Sequence, residues 1–359
     1  MDIKRQIPLA KPYFNTTEVI EVLKTLDSGW VAQGPRVKKF EQEFAEYCGV
    51  NHAVAVNSCT SGLHLSLLVH GIGRGNEVII PDFTFVATGN VILQTGAIPK
   101  IVDVDHETYC MDVAEIEEKI TPKTKAIMPV HALGHPADMH DINKLAQEYN
   151  ITVIEDAASG LGSMIDDKRV GSFGNTACFS LQGRKIITTG EGGMITLDDN
   201  VEVSQLRALR SQGSPDFVIR GFSYRLSDIQ AGIGSIQLGR IEQFIERRKY
   251  LANLYKDLID DARIDVIVPA CADGIRHTYQ AYVVLVRDRD NIIKSLREKG
   301  IESTIGTHSL SSMPLFMNYD ICRTGKWLYK RSLALPMYHG LTHTDVEYIV
   351  NCLGDIIRE

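Results

Sequence analysis

The 359-residue chain is 44% hydrophobic, enough apolar material for a large core divided between a major and a minor domain. Its 38 basic and 45 acidic side chains leave a formal charge of -7, which offers no general attraction to nucleic-acid phosphates. No apolar run has the length of a bilayer span, and Met1-Asp2-Ile3-Lys4-Arg5-Gln6 lacks the apolar stretch of a secretory signal, so the expected setting is the cytoplasm, with neither membrane nor nucleic acid as partner.

Apolar positions at helical spacing predict helices over 18–27 and 37–47. Between them Ser28-Gly29-Trp30-Val31-Ala32-Gln33-Gly34-Pro35 reads as a loop, because two glycines and a proline interrupt the period. Trp30 in that loop is either a packing anchor or a substrate wall. A strand over 53–57 runs through Ser58-Cys59-Thr60-Ser61-Gly62 into an apolar helix expected to begin near Leu63. A strand, small-residue turn and helix in that order can aim unpaired backbone N–H groups at one phosphate, although helix capping alone accounts for Thr60 and Ser61. Buried strands are expected over 77–80, 98–103, 126–130 and 151–154, with a helix over 87–95, and this alternation implies a three-layer α/β domain.

From Ile229 the pattern changes to one long amphipathic helical stretch running toward Tyr255 and bridging two lobes. Strands over 279–287 and 332–336, with helices over 290–299 and 343–353, fit a smaller α+β lobe. The expected division is a large domain with an amino-terminal arm, 1–240, then a linking helix and small domain, 241–359. The seven cysteines, Cys48, Cys59, Cys110, Cys178, Cys271, Cys322 and Cys352, are scattered, which favours reduced structural thiols and no metal site. His131 and His135 lie four apart, but Gly134 and Pro136 break any helix that would set them on one ligand face.

Two segments carry chemistry. Val153-Ile154-Glu155-Asp156-Ala157-Ala158 ends an apolar strand in acids, where ligand crevices open beyond the carboxyl ends of a sheet. Asp156 is either a helix-capping acid or a carboxylate that stabilises a protonated pyridine nitrogen, with small alanines beside it to let a ring approach. Lys185 precedes Thr188-Thr189-Gly190-Glu191-Gly192-Gly193, so it is either a surface lysine or an amine held over a pocket by a glycine-rich turn. Such an amine can condense with the aldehyde of pyridoxal 5′-phosphate (PLP), yield that link to an amino donor, and carry a proton between the substrate carbon and cofactor C4′.

Further landmarks are Ile7-Pro8-Leu9-Ala10-Lys11-Pro12, Pro81-Asp82-Phe83-Thr84-Phe85-Val86-Ala87-Thr88, Pro129-Val130-His131, Gly134-His135-Pro136-Ala137-Asp138-Met139, Tyr224-Arg225-Leu226-Ser227-Asp228-Ile229-Gln230-Ala231, Leu335-Pro336 and Gly340-Leu341-Thr342. With the two segments above, they resemble in order the sugar aminotransferases of the DegT/DnrJ/EryC1/StrS family, within the aspartate aminotransferase superfamily. The resemblance implies a fold type I PLP-dependent transferase: a three-layer major domain around a mostly parallel sheet and a smaller C-terminal α+β domain.

It further implies a Schiff base at Lys185, Asp156 as partner of the pyridinium, and Phe85 stacked on the cofactor ring, where the local alternative is a sheet–helix core contact. Backbone groups of Thr60 and Ser61 and the Ser180 hydroxyl would hold the phosphate. Ser159 stands where relatives often have glutamine, so its contact with the phenolic oxygen is shorter, water-mediated or absent. Ser223 stands where relatives have an asparagine that reaches the phosphate of the neighbouring subunit.

The implied assembly is a homodimer with shared active sites. The implied reaction moves the amino group of L-glutamate to a nucleotide-linked keto sugar, a keto-deoxyhexose, in amino-sugar and polysaccharide biosynthesis, leaving 2-oxoglutarate. Trp30, Gln33 and His308 are candidates for the sugar wall, His308 equally a solvated loop histidine. Arg225 fits a nucleotide phosphate, a donor carboxylate or a structural ion pair. The alternatives are a dehydratase of the same family, in which histidine replaces the lysine, and a regulatory protein that keeps the fold without turnover.

Overall fold

In the computed structural model, which describes residues 5–358, seven strands form the central sheet in the spatial order His52–Val56, Gly193–Leu197, Thr176–Ser180, Thr152–Asp156, Thr124–Ile127, Glu77–Pro81, Ile98–Val102. The reading of residues 1–6 as free of a signal falls largely on 1–4, outside the described residues. Gly193–Leu197 runs antiparallel to both neighbours, and the other adjoining pairs are parallel. These strands are short and mostly apolar, with most of their residues buried, as a sheet covered by helices on both sides requires.

The topology gathers one edge. His52–Val56, Thr152–Asp156 and Thr176–Ser180 all point the same way, so Ser58, Asp156 and Ser180 emerge together at their carboxyl ends. Thr176–Ser180 and Gly193–Leu197 pair as antiparallel neighbours, so the chain between them, which carries Lys185, loops out over that same edge.

Two helix expectations are corrected. The helix after the first strand spans Cys59–Val69 and starts four residues before Leu63. Ser58 caps it by accepting from the Ser61 amide at 3.1 Å, so the small-residue turn is the helix's own first turn. The single helix expected from Ile229 is two, Asp228–Leu238 and Ile241–Asp261. The break falls where Gly239 has the poorest helix propensity short of proline and Arg240 leaves helical geometry at φ -114° and ψ 6°.

Tyr282–Leu285, Ser332–Leu335 and Thr304–Ile305 make a second, antiparallel sheet. The strand expected over 279–287 is cut short because Tyr279 adopts a positive φ of 48°. This sheet shares a core with Leu251, Tyr255, Leu296 and Ile349 from three helices, and Ile7 of the amino-terminal arm joins it. Buried acids join the two sheets' regions. Asp82 accepts from the Ser311 amide at 2.6 Å and the Ser309 hydroxyl at 2.7 Å. Asp103 accepts from the amides of Arg323, Thr324 and Gly325 at 2.6–2.7 Å, capping the helix Arg323–Arg331 from across the chain. Phe83–Thr84 pairs with His308–Ser309, which carries the 304–310 segment to the carboxyl edge of the large sheet.

Candidate active site

A cavity of about 540 Å³ opens at that edge, a size suited to a cofactor with part of a substrate. Thr60, Phe85, Asp156, Ser159, Ser180 and Lys185 line it.

Asp156 ends its strand only 4% exposed. Its Oδ2 accepts from the Thr88 hydroxyl at 2.7 Å and its Oδ1 from the Ala158 amide at 3.2 Å. Because the Thr88 proton is committed to the carboxylate, the Thr84 hydroxyl, 2.9 Å away, donates to Thr88. Burial pushes the Asp156 carboxyl above its usual range, while Thr88, the Ala158 amide and the charge on Lys185 pull against that rise. Among the described residues no cation bonds to this buried acid, which is held ready to receive one.

Behind it, the Ala137 amide donates to His131 Nδ1 at 3.0 Å, so His131 Nε2 carries the proton and donates to Glu155 at 3.0 Å. Glu155 also accepts from the amides of Gly171, Phe173 and Gly174 at 2.7–2.9 Å. Despite full burial, which raises a carboxyl, these bonds hold it below its ordinary value. Both His131 nitrogens are therefore used inside the protein. His135 Nδ1 donates to the Pro136 carbonyl at 2.8 Å.

The Lys185 amine donates to Ser159 Oγ at 3.1 Å. Burial lowers its basicity, with Cys59 and Asp156 pulling the other way. Its loop is framed by the Thr189 amide and Thr188 hydroxyl on the Leu181 carbonyl and by the Leu181 amide on that of Gly192, so the lysine starts from a fixed base.

A phosphate cradle lies at the start of Cys59–Val69. The Ser61 amide is spent on Ser58 and its hydroxyl on Asn57 Oδ1, and Ser61 does not line the cavity. The first-turn amides of Cys59 and Thr60 have no carbonyl within the helix to bond. A Cβ on Gly193 would lie 2.5 Å from the Ser58 carbonyl carbon and 2.6 Å from the Cys59 nitrogen, so the glycine lets the neighbouring strand support the cradle at close range. These amides, Thr60 and Ser180 fit a phosphate, and Asp156 fits a protonated ring nitrogen; the residues present match PLP.

Phe85 is 61% exposed on the cavity wall, which rules out the sheet–helix core contact. His308 does not line the cavity; its ring lies 6.1 Å from that of Phe85, and its Nδ1 has no partner among the described residues. Trp30, 60% exposed, Gln33 and Ser223 do not line the cavity of their own chain. Arg225 is exposed and donates to Ser223 Oγ at 3.2 Å, so it forms no buried ion pair. Sequence reasoning gave no role to Thr84 and Thr88, although their spacing of four on one short segment was a visible sign. Arg184, Gln182 and Gln280 on the cavity wall were also missed.

The model of the DegT/DnrJ/EryC1/StrS aminotransferase family matches residues 12–354. Over 365 residues the chain is 39% identical to GDP-perosamine synthase of Caulobacter vibrioides, covering 98% of each. It is 37% identical over 370 residues to GDP-perosamine synthase of Escherichia coli O157:H7, covering 99% of this chain and all of that one. The aminotransferase TlmJ of Streptoalloteichus hindustanus superposes with a TM-score of 0.94 at 30% identity, over 98% of both chains. A candidate sugar aminotransferase of Streptococcus pneumoniae, in its PLP form, gives 0.93 at 27% identity over 99% of both. With nearly its whole length matched, the chain belongs to the DegT/DnrJ/EryC1/StrS aminotransferase family.

Proposed function

We propose that this aminotransferase uses PLP to move the amino group of L-glutamate to a nucleotide-linked keto sugar, a keto-deoxyhexose, giving an amino sugar and 2-oxoglutarate. The observation that carries the reading is the meeting of Asp156 and Lys185, from separate segments, on one cavity beside a phosphate cradle. Bound there, PLP supplies an electron sink and a carrier for the amino group.

Asp156, fixed by Thr88 and Ala158, holds the positive charge of the ring nitrogen. The Cys59 and Thr60 amides and the Ser180 hydroxyl would hold the phosphate, and Phe85 on the cavity wall would lie against the ring and exclude water. Lys185 Nζ, made less basic by burial, takes a proton from the donor Cα and returns one to the sugar carbon. Ser159 Oγ orients that amine. Lysine at this position speaks against a dehydratase that uses histidine.

Trp30, Gln33 and Ser223 serve the site of a second copy in a homodimer, while His308 stands beside Phe85 without lining the cavity itself. The exposed Val19, Ile20, Leu23 and Leu26 on the helix Thr16–Asp27 support a covered face there. The division into 1–240 and 241–359 and a cytoplasmic setting belong to the same reading. The names of the GDP-perosamine synthases make GDP the first nucleotide to test. PLP-loaded protein, L-glutamate and a panel of GDP-, UDP- and dTDP-linked keto-deoxyhexoses are expected to give one amino sugar, identified by mass spectrometry and NMR, with matching 2-oxoglutarate. No amino sugar from any member, with glutamate left unconsumed, would overturn the reading.

A further inference from the structure

We propose that Arg184 takes the anionic group of a substrate and so selects what the cavity accepts; the inference rests on the amino transfer proposed above. Arg184 directly precedes Lys185, lines the cavity and is exposed. Its backbone is pinned on both sides. The amide donates to Gln182 Oε1 at 2.8 Å, and the carbonyl accepts from Gln280 Nε2 at 3.0 Å. Both glutamines line the same cavity, Gln280 from the segment that follows the linking helix Ile241–Asp261 in the chain.

The guanidinium itself bonds to no described residue, since the hydrogen bonds of Arg184 are those of its backbone. Other arginines are committed: Arg210 to Glu41 and the Ala55 carbonyl, Arg248 to the carbonyls of Tyr279 and Gln280, Arg276 to Glu242. Glu191 also lines the cavity but does not pair with Arg184. Of the cavity's basic side chains, Lys185 is engaged in proton transfer and His131 is bonded to Glu155, which leaves Arg184. Both substrates carry anionic oxygens, the carboxylates of glutamate and the diphosphate of the nucleotide. A planar guanidinium on a fixed backbone meets such oxygens bidentately, adding geometric selection to charge.

The two half-reactions separate the two sources. With Arg184→Ala and Arg184→Lys, the glutamate half is read by loss of the cofactor's visible band, and the sugar half by its return on adding the keto sugar that turns over in the panel. The half-saturation concentration of one substrate is expected to rise about tenfold or more in R184A, with partial recovery in R184K and an unchanged spectrum before substrate is added. A rise confined to glutamate assigns the donor carboxylate; one confined to the sugar assigns the diphosphate. No change in either half, or equal changes in both, would overturn the inference. Wild-type protein inert in both halves would instead overturn the functional reading, a result distinct from any behaviour of the variants.

Discussion

Asp156 owes its geometry to Thr88, whose hydroxyl bonds to Oδ2 across 68 residues of sequence. Thr88→Val leaves a buried carboxylate oxygen without its donor, a loss of about 1–3 kcal/mol, so amino transfer is expected to fall roughly 10–100-fold, with Thr88→Ser recovering most of it. The sign of the pH effect follows from the same bond. Thr88 lowers the Asp156 pKa against the rise caused by burial, so T88V raises it further and moves the acid limb of kcat/KM to higher pH. An acid limb unmoved in T88V would show that the hydroxyl does not tune the carboxylate. Asp156 and Lys185 could be read as a pair from the sequence because each sits in a distinctive local run. For Thr88 the spacing from Thr84 was visible, but its partner was not, because only the fold brings its helix against the end of the strand Thr152–Asp156. Ser61 shows the opposite limit: its place in the motif is legible, but its amide is already taken by Ser58.

The cradle depends on how closely the strand Gly193–Leu197 passes the start of the helix Cys59–Val69. Gly193→Ala would set a Cβ 2.5 Å from backbone, which no rotamer can relieve, at a cost of about 1–3 kcal/mol. The expected result is PLP binding weakened roughly tenfold, measured by fluorescence titration, with the central strands still folded by circular dichroism. Unchanged PLP affinity in G193A would mean the cradle is not where phosphate sits. Five of the seven strands of this sheet were legible because buried strands read as apolar runs, as in Val78-Ile79-Ile80, whereas Thr176–Ser180 and Gly193–Leu197, whose apolar runs are broken by polar and glycine residues, were not. Helix limits were less so. The start at Cys59 is set by the Ser58 cap, whereas the apolar pattern begins only at Leu63, and the break at Gly239 interrupts a pattern that continues on both sides of it.

Burial also makes the fold as a whole sensitive to acid. His277, packed against Tyr279 and His135, is pushed down to about 3 by burial and by the neighbouring histidine. Unfolded, a histidine titrates near 6.5, so below that pH the unfolded chain takes up a proton that the folded one refuses. The contribution is complete above about 6.5 and is lost as pH falls toward 3, at about 1.4 kcal/mol per pH unit. Denaturant unfolding at about pH 7 and 5 is expected to show this slope, reduced in His277→Gln; an equal slope in the variant would contradict it. The two-lobed arrangement was visible in the switch from alternating strands and helices to amphipathic helix at Ile229. The joints at Asp82 and Asp103 were not, because each carboxylate meets amides more than 200 residues away.

The expectations for catalysis depend on where the coenzyme is joined to the chain. Borohydride reduction of PLP-loaded protein, followed by peptide mass spectrometry, reads that position directly. The account predicts the pyridoxyl mass on Lys185 and none in Lys185→Ala; reproducible labelling of a different lysine in the wild-type protein would contradict it.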